Sequence, residues 1–104
     1  MRATKISKKQ SKMAKYKLFY HKSFVKDYKK LSNNDRQLVD SIIIKLADGE
    51  TLESKHHNHT LKGNLKGFSE CHIKPNLLLI YAKHDANLEL NMLRVGSHSK
   101  ILGT

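Results

Sequence analysis

Tryptophan is absent, and cysteine and proline occur once each, as Cys71 and Pro75, in a chain of 104 residues. A single cysteine excludes an internal disulfide and agrees with a reducing compartment. No HExxH, CxxC, Walker or dinucleotide glycine motif is present, so nucleotide-cofactor and zinc-hydrolase chemistry have no signature here. No apolar run approaches the roughly 18 residues that span a bilayer; the longest, Leu77 to Ala82, is strand-sized. The N-terminus is basic but has no apolar stretch and cleavage site behind it, so no secretory signal is expected. A cytoplasmic location is therefore the expectation. Acidic residues are also scarce, nine against twenty Lys and Arg.

The resulting formal charge of +11, with pI near 9.9, predicts a polyanionic partner. An anionic membrane and a merely solvated surface are the competing readings. The excess is uneven. Met1 to Lys15 holds six basic residues and no acid, and the remainder holds 14 against nine, a net of +5. Residues 1–15 read as a disordered basic arm, with Met13 as an alternative start, and 16–104 as one domain. Hydrophobic residues at 38% make that domain too apolar to be disordered and large enough to bury a core.

Tyr16, Leu18 and Tyr20 alternate with Lys17 and Phe19, which predicts a strand. A helix follows from about Ser23, with Phe24, Tyr28 and Leu31 on one face. Ser32 and Asp35 have capping spacing and open a second helix. Its stripe is Leu38, Val39, Ile42, Ile43 and Leu46, and Gly49 stops it. Residues 50–64 read as a polar loop. Strand signals then cover Leu65 to Phe68, Ser69 to Lys74, Leu77 to Lys83 and Leu88 to Val95, with turns at Pro75-Asn76 and His84 to Asn87. Leu77 to Tyr81 is apolar throughout, as in a central strand covered on both faces. The class predicted is α+β, a strand and two-helix hairpin packed on one face of a mostly antiparallel sheet. The other face is left open for a ligand.

Seven histidines are present. Alternation around His72 puts Cys71 and Ile73 toward the core, and Glu70, His72 and Lys74 on the open face. In the last strand Arg94 is in phase with Leu88, Leu90 and Met92, so a bulge is possible and the pattern leaves its direction open. If the strands are neighbours, His72, Arg94 and His98 meet near one sheet end, with His59 in the loop above. Such a set suits metal-free RNA cleavage. A base takes the 2′-OH proton, a cationic fork stabilises the phosphoryl oxygens, and an acid protonates the leaving 5′-oxygen. Imidazoles fit both proton-transfer roles. The same histidines also fit a plain basic surface. His56-His57-x-His59 is a possible ligand run, but the thiolates or spaced carboxylates a zinc site usually needs are missing. Cys71 alternates with His72 and points away from it, which disfavours a Cys-His nucleophile.

Three segments in order carry a family resemblance: His59-Thr-Leu-Lys-Gly-Asn-Leu-Lys-Gly-Phe, Glu70-Cys-His-Ile-Lys-Pro-Asn-Leu-Leu-Leu-Ile-Tyr81, and Leu93-Arg-Val-Gly-Ser-His98. With Tyr20 to Leu31, they resemble the YafQ branch of the RelE/ParE toxin superfamily over Tyr16 to Leu102. The resemblance implies a microbial RNase-like fold and the toxin of a type II toxin–antitoxin system. It implies a ribosome-dependent endoribonuclease that cuts mRNA in the ribosomal A site without a cofactor. A cognate antitoxin is the implied inhibitor, with operator DNA reached only through that complex and no membrane partner. His59, His72, Arg94 and His98 are the implied catalytic residues, Arg94 on the phosphate and His98 as acid. Lys62, Lys66, Glu70, Lys74, Asn76 and Leu102 are the candidate substrate contacts. Where the family often carries Asp after the proline, this chain has Asn76, which cannot act as a base. Leu77 and Leu102 replace aromatics that would stack bases. His59 or His72 is then left as base. The alternatives are a ParE-like gyrase-inhibiting toxin, a non-catalytic RNA-binding relative, and a DNA-binding module, for which no recognition helix is evident.

Overall fold

The computed structural model describes residues 14–102, without the side chain of Leu102. Most of the expected basic arm, and any stacking role of Leu102, lie outside the described residues. The elements are β1 (Lys17–Tyr20), α1 (Lys22–Lys29), α2 (Asn33–Ala47), β2 (His59–Thr60), β3 (Ser69–Lys74), β4 (Leu77–His84), β5 (Glu89–Gly96) and α3 (His98–Leu102). Single 3₁₀ turns lie at Ser54–His56 and Gly63–Leu65. The five strands form one sheet in the order β1-β5-β4-β3-β2. All neighbours are antiparallel except β1 and β5, which run parallel.

The α+β expectation holds. Phe24 and Tyr28 of α1, and Val39, Ile42, Ile43 and Leu46 of α2, bury themselves with Cys71, Leu79, Leu90, Met92 and Val95 of the sheet. Removal of this much apolar surface from water is the main driving force. The Ser32 hydroxyl accepts a hydrogen bond from the Asp35 N–H (3.1 Å), which satisfies one donor at the start of α2. Helix α2 ends where expected, and Gly49 follows at φ +81°. Leu38 departs from the expected stripe and is exposed. At 100° per residue it falls outside the narrower face set by Val39, Ile42, Ile43 and Leu46. Central β4 is buried from Leu77 to Ala82, as its unbroken apolar run implies.

Residues 65–68 are not a strand. Gly63 and Gly67 take φ of +67° and +95° and curl the chain, and the Leu61 N–H closes the loop on the Phe68 carbonyl (2.9 Å). Strand β5 starts at Glu89, one residue late, because Leu88 takes φ +55° in the preceding turn. The second sheet face is not simply open. Leu78, Ile80 and Ile101 are buried there, with Leu61, Leu65, Phe68 and Leu93 packed against them. The loop before β3 and the helix after β5 thus fold back over opposite parts of that face.

Burial pushes the Cys71 thiol up from its ordinary 9.0 to about 12, with Glu70 adding to the effect. Burial also pushes the Tyr81 phenol up from 10.0 to about 12. The fold favours the neutral form of both groups. Their contribution to stability is whole below the unfolded-state values and is lost as pH rises through the folded ones. The urea midpoint is therefore expected to hold up to about pH 9 and to fall steadily toward pH 12. Circular dichroism melts across that range check it, and a midpoint that is flat to pH 12 contradicts it.

Candidate active site

Two histidines converge on one carboxylate. His59 of β2 pairs with Glu70 of β3 in the sheet register. Its Nε2 lies 3.4 Å from Glu70 Oε1, and His72 Nε2 lies 3.7 Å from the same oxygen. Glu70 is 5% exposed, against the expectation that it faces solvent with His72 and Lys74. The curled loop with Leu61, Leu65 and Phe68 shields this part of the face, which alternation alone does not reveal. Glu70 Oε2 is buried with no hydrogen-bond partner among the described residues. A buried carboxylate with an orphan oxygen is costly. The two imidazoles both approach its other oxygen, Oε1.

The imidazoles are themselves held. His59 Nδ1 is 2.6 Å from the His57 carbonyl oxygen. A carbonyl only accepts, so Nδ1 carries the proton and Nε2 is the atom left to exchange one. His56, buried, donates from Nδ1 to the His72 carbonyl at 2.6 Å. That bond falls where the β3–β4 register slips between His72 and Lys74. The bulge leaves Ile73 in the core and His72 half-buried on the opposite face. The His56-His57-x-His59 run therefore diverges. Among the described residues no group of three or more His, Cys, Asp or Glu is placed to hold a metal ion.

Arg94 lies in the same transverse row, through the register pairs His59–Glu70, Glu70–Ile80 and Ile80–Arg94. The bulge left open by the sequence is present. The β4–β5 register shifts between Ile80 and Tyr81, so Leu93 is the extra residue and resets the alternation. Leu90 and Met92 stay in the core while Arg94 escapes it. Two strand spacings, roughly 10 Å, separate the β3 and β5 backbones.

What fixes Arg94 is α1. Strand β1 ends opposite Met92, and α1 takes over the exposed edge of β5. The His21 N–H donates to the Met92 carbonyl (2.9 Å) and the Ser23 hydroxyl to the Leu93 carbonyl (2.7 Å). Asp27 completes the series. Its Oδ2 accepts from Val95 N–H at 3.1 Å and from Arg94 Nε at 2.7 Å, and its Oδ1 accepts from Arg94 Nη2 at 3.1 Å. Asp27 is 6% exposed. The sequence reading missed it, although an acid beside Phe24, Tyr28 and Leu31 on a core-facing stripe is a usable signal.

The remaining candidates are more dispersed. His98 is exposed at the start of α3, two residues beyond Gly96, which pairs with Leu78 in the row of His72. A Cβ on Gly96 would stand 3.1 Å from Ile101 Cγ2, so glycine lets α3 fold back over the sheet. Lys62 and Lys66 are exposed on either side of the second 3₁₀ turn. Lys74 pairs with Asp35 of α2 at 2.7 Å. Asn76 is exposed in its turn, whereas Leu77 is 2% exposed in the core and has no face to offer a base.

The sequence profile of the bacterial toxins of type II toxin–antitoxin systems named YafQ matches residues 16–103. The chain belongs to the YafQ toxin family. A protein of Haemophilus influenzae that carries the name YafQ is 33% identical over 91 residues, 81% of this chain and 89% of that one. A copper-bound, singly substituted toxin from Helicobacter pylori is 43% identical with a TM-score of 0.74, covering 83% of this chain and 98% of that one. In the Escherichia coli DinJ–YafQ toxin–antitoxin complex, YafQ superposes with a TM-score of 0.75 at 24% identity, covering 86% of this chain and 99% of that one, a likeness of fold. For a YafQ-family toxin, then, the described residues include no helix long and apolar enough to cross a membrane.

Proposed function

We propose that this toxin is a metal-independent, ribosome-dependent endoribonuclease that cuts mRNA in the ribosomal A site. The supporting observation is the approach of His59 and His72 to the buried Glu70, in a row that also carries Arg94. The His59–Glu70–His72 group takes the proton from the ribose 2′-OH, and the oxygen attacks the adjacent phosphorus. Arg94, aimed by Asp27, meets the charge that builds on the phosphoryl oxygens. His98, across the sheet, protonates the leaving 5′-oxygen. Lys62 and Lys66 contact flanking phosphates, which suits their place on the exposed loop. Asn76 has no base to offer, so proton removal rests on the imidazoles. A cognate antitoxin is the proposed inhibitor, by analogy with DinJ on E. coli YafQ, and operator DNA is reached only through that complex. The proposed setting is the cytoplasm.

The test is induction in bacteria followed by mapping of mRNA ends, wild type beside His98→Ala. Growth arrest with new ends inside translated messages is expected for the wild type, and both are lost in the variant. Cleavage by the purified chain on ribosomes persists in chelator. Arrest with intact mRNA and broken DNA supports gyrase inhibition instead, and activity that only zinc restores to a chelated sample overturns the acid–base assignment.

A further inference from the structure

A cavity of about 530 Å³ opens beside His72, between the Ser54–His56 turn and the end of β3. That volume lies within the range of small-ligand sites, roughly 300–1,000 Å³. His56, His57, His72, Ile73 and Pro75 line it, together with Lys55 and Lys74. The His57 and His72 rings meet edge to face, 5.5 Å apart at 66°. Two local departures from regular backbone shape this wall. His57 takes the left-handed conformation at φ +45°, which a side chain with a Cβ rarely adopts. The bulge at Ile73 turns the end of β3. Strain of this kind persists where the surroundings hold it and concentrates at functional sites.

We propose that this cavity receives the nucleobase of an RNA nucleotide next to the cleaved phosphate, and that it sets a base preference. The proposal rests on the endoribonuclease reading, because His72 is shared by the cavity and the Glu70 group. Imidazole and proline surfaces suit the flat π-face of a base, as in single-stranded RNA recognition. Among the described residues, Lys55 pairs with Glu53 (3.2 Å) and Lys74 with Asp35 (2.7 Å), and the two lysines are 71% and 47% exposed. Exposed pairs are weak, so a phosphate can displace either acid.

The test is an NMR titration of the intact chain with the four nucleoside monophosphates and, separately, ribose 5-phosphate. The nucleotides are expected to shift the His57 and Ile73 amides, one base more strongly than the rest, while the sugar phosphate leaves them in place. His57→Ala weakens binding about tenfold, and His57→Phe restores it by returning a ring. Equal shifts from the sugar phosphate, or none from any nucleotide at millimolar concentration, overturn the proposal. The readout needs no cleavage. Nucleotide binding in a chain that cuts no mRNA upholds the cavity and removes the endoribonuclease reading. Cleavage without nucleotide binding removes the cavity alone.

Discussion

Glu70→Gln is expected to lower the rate of mRNA cleavage by about a hundredfold or more while raising stability. Proton-transfer assistance is worth roughly 10²–10⁴ in rate, and the substitution removes the charge that both imidazoles face. It also removes a burden. The carboxylate is buried and one of its oxygens has no hydrogen-bond partner among the described residues. A neutral amide of the same shape avoids most of the cost of burying a charge, so stability rises by about 1 kcal/mol. Cleavage assays on ribosomes beside urea melts read the two effects. A variant that is both slower and less stable would mean that Glu70 is a structural residue, and one with wild-type rate removes it from the mechanism.

Asp27→Ala is expected to cost about 2 kcal/mol, which for a domain of this size lowers the melting temperature by roughly 10 °C. The carboxylate accepts three hydrogen bonds, two from Arg94 and one from the Val95 N–H. Loss of a fully buried ion-pair partner costs more, about 3–5 kcal/mol. Here water reaches the Arg94 side chain, 31% exposed, and softens the loss. Cleavage falls as well, because the guanidinium loses its fixed aim. Asp27→Asn separates these effects. It keeps an acceptor for Val95, so much of the stability returns, but it lacks the charge that holds Arg94. Thermal melts and single-turnover cleavage measure both. A melting temperature within about 2 °C of wild type for Asp27→Ala shows that the pair does not anchor β5 to α1.

Local patterns in the sequence reported the local structure well. Alternation located β3 at its observed ends, and Ser32 with Asp35 marked the start of α2. The family motifs picked out His59, His72, Arg94 and His98, and the first two do meet on Glu70. What escaped were features created by two segments coming together. The extra Leu93 resets the phase of β5, and only pairing with β4 shows it. Glu70 is a surface residue by alternation and a buried one once the Leu61–Phe68 loop covers it. Asp27 has a partner 67 positions away, and helical periodicity carries no information about that.

The parallel pairing of β1 with β5 has a consequence for folding order. Lys17 to Tyr20 find their partners at Glu89 to Met92, the last strand of the sheet. Contacts this distant in sequence slow folding, because the intervening chain must be ordered before they form. During synthesis the first strand and α1 emerge early and wait, and Asp27 has no Arg94 to hold until the C-terminal strand arrives. The domain therefore closes late, and the guanidinium, Gly96 and His98 are the last parts of the site to take their places. On this ordering the pairing of Arg94 with Asp27 and the return of His98 toward the sheet are withheld until the strand Glu89–Gly96 has joined its neighbours.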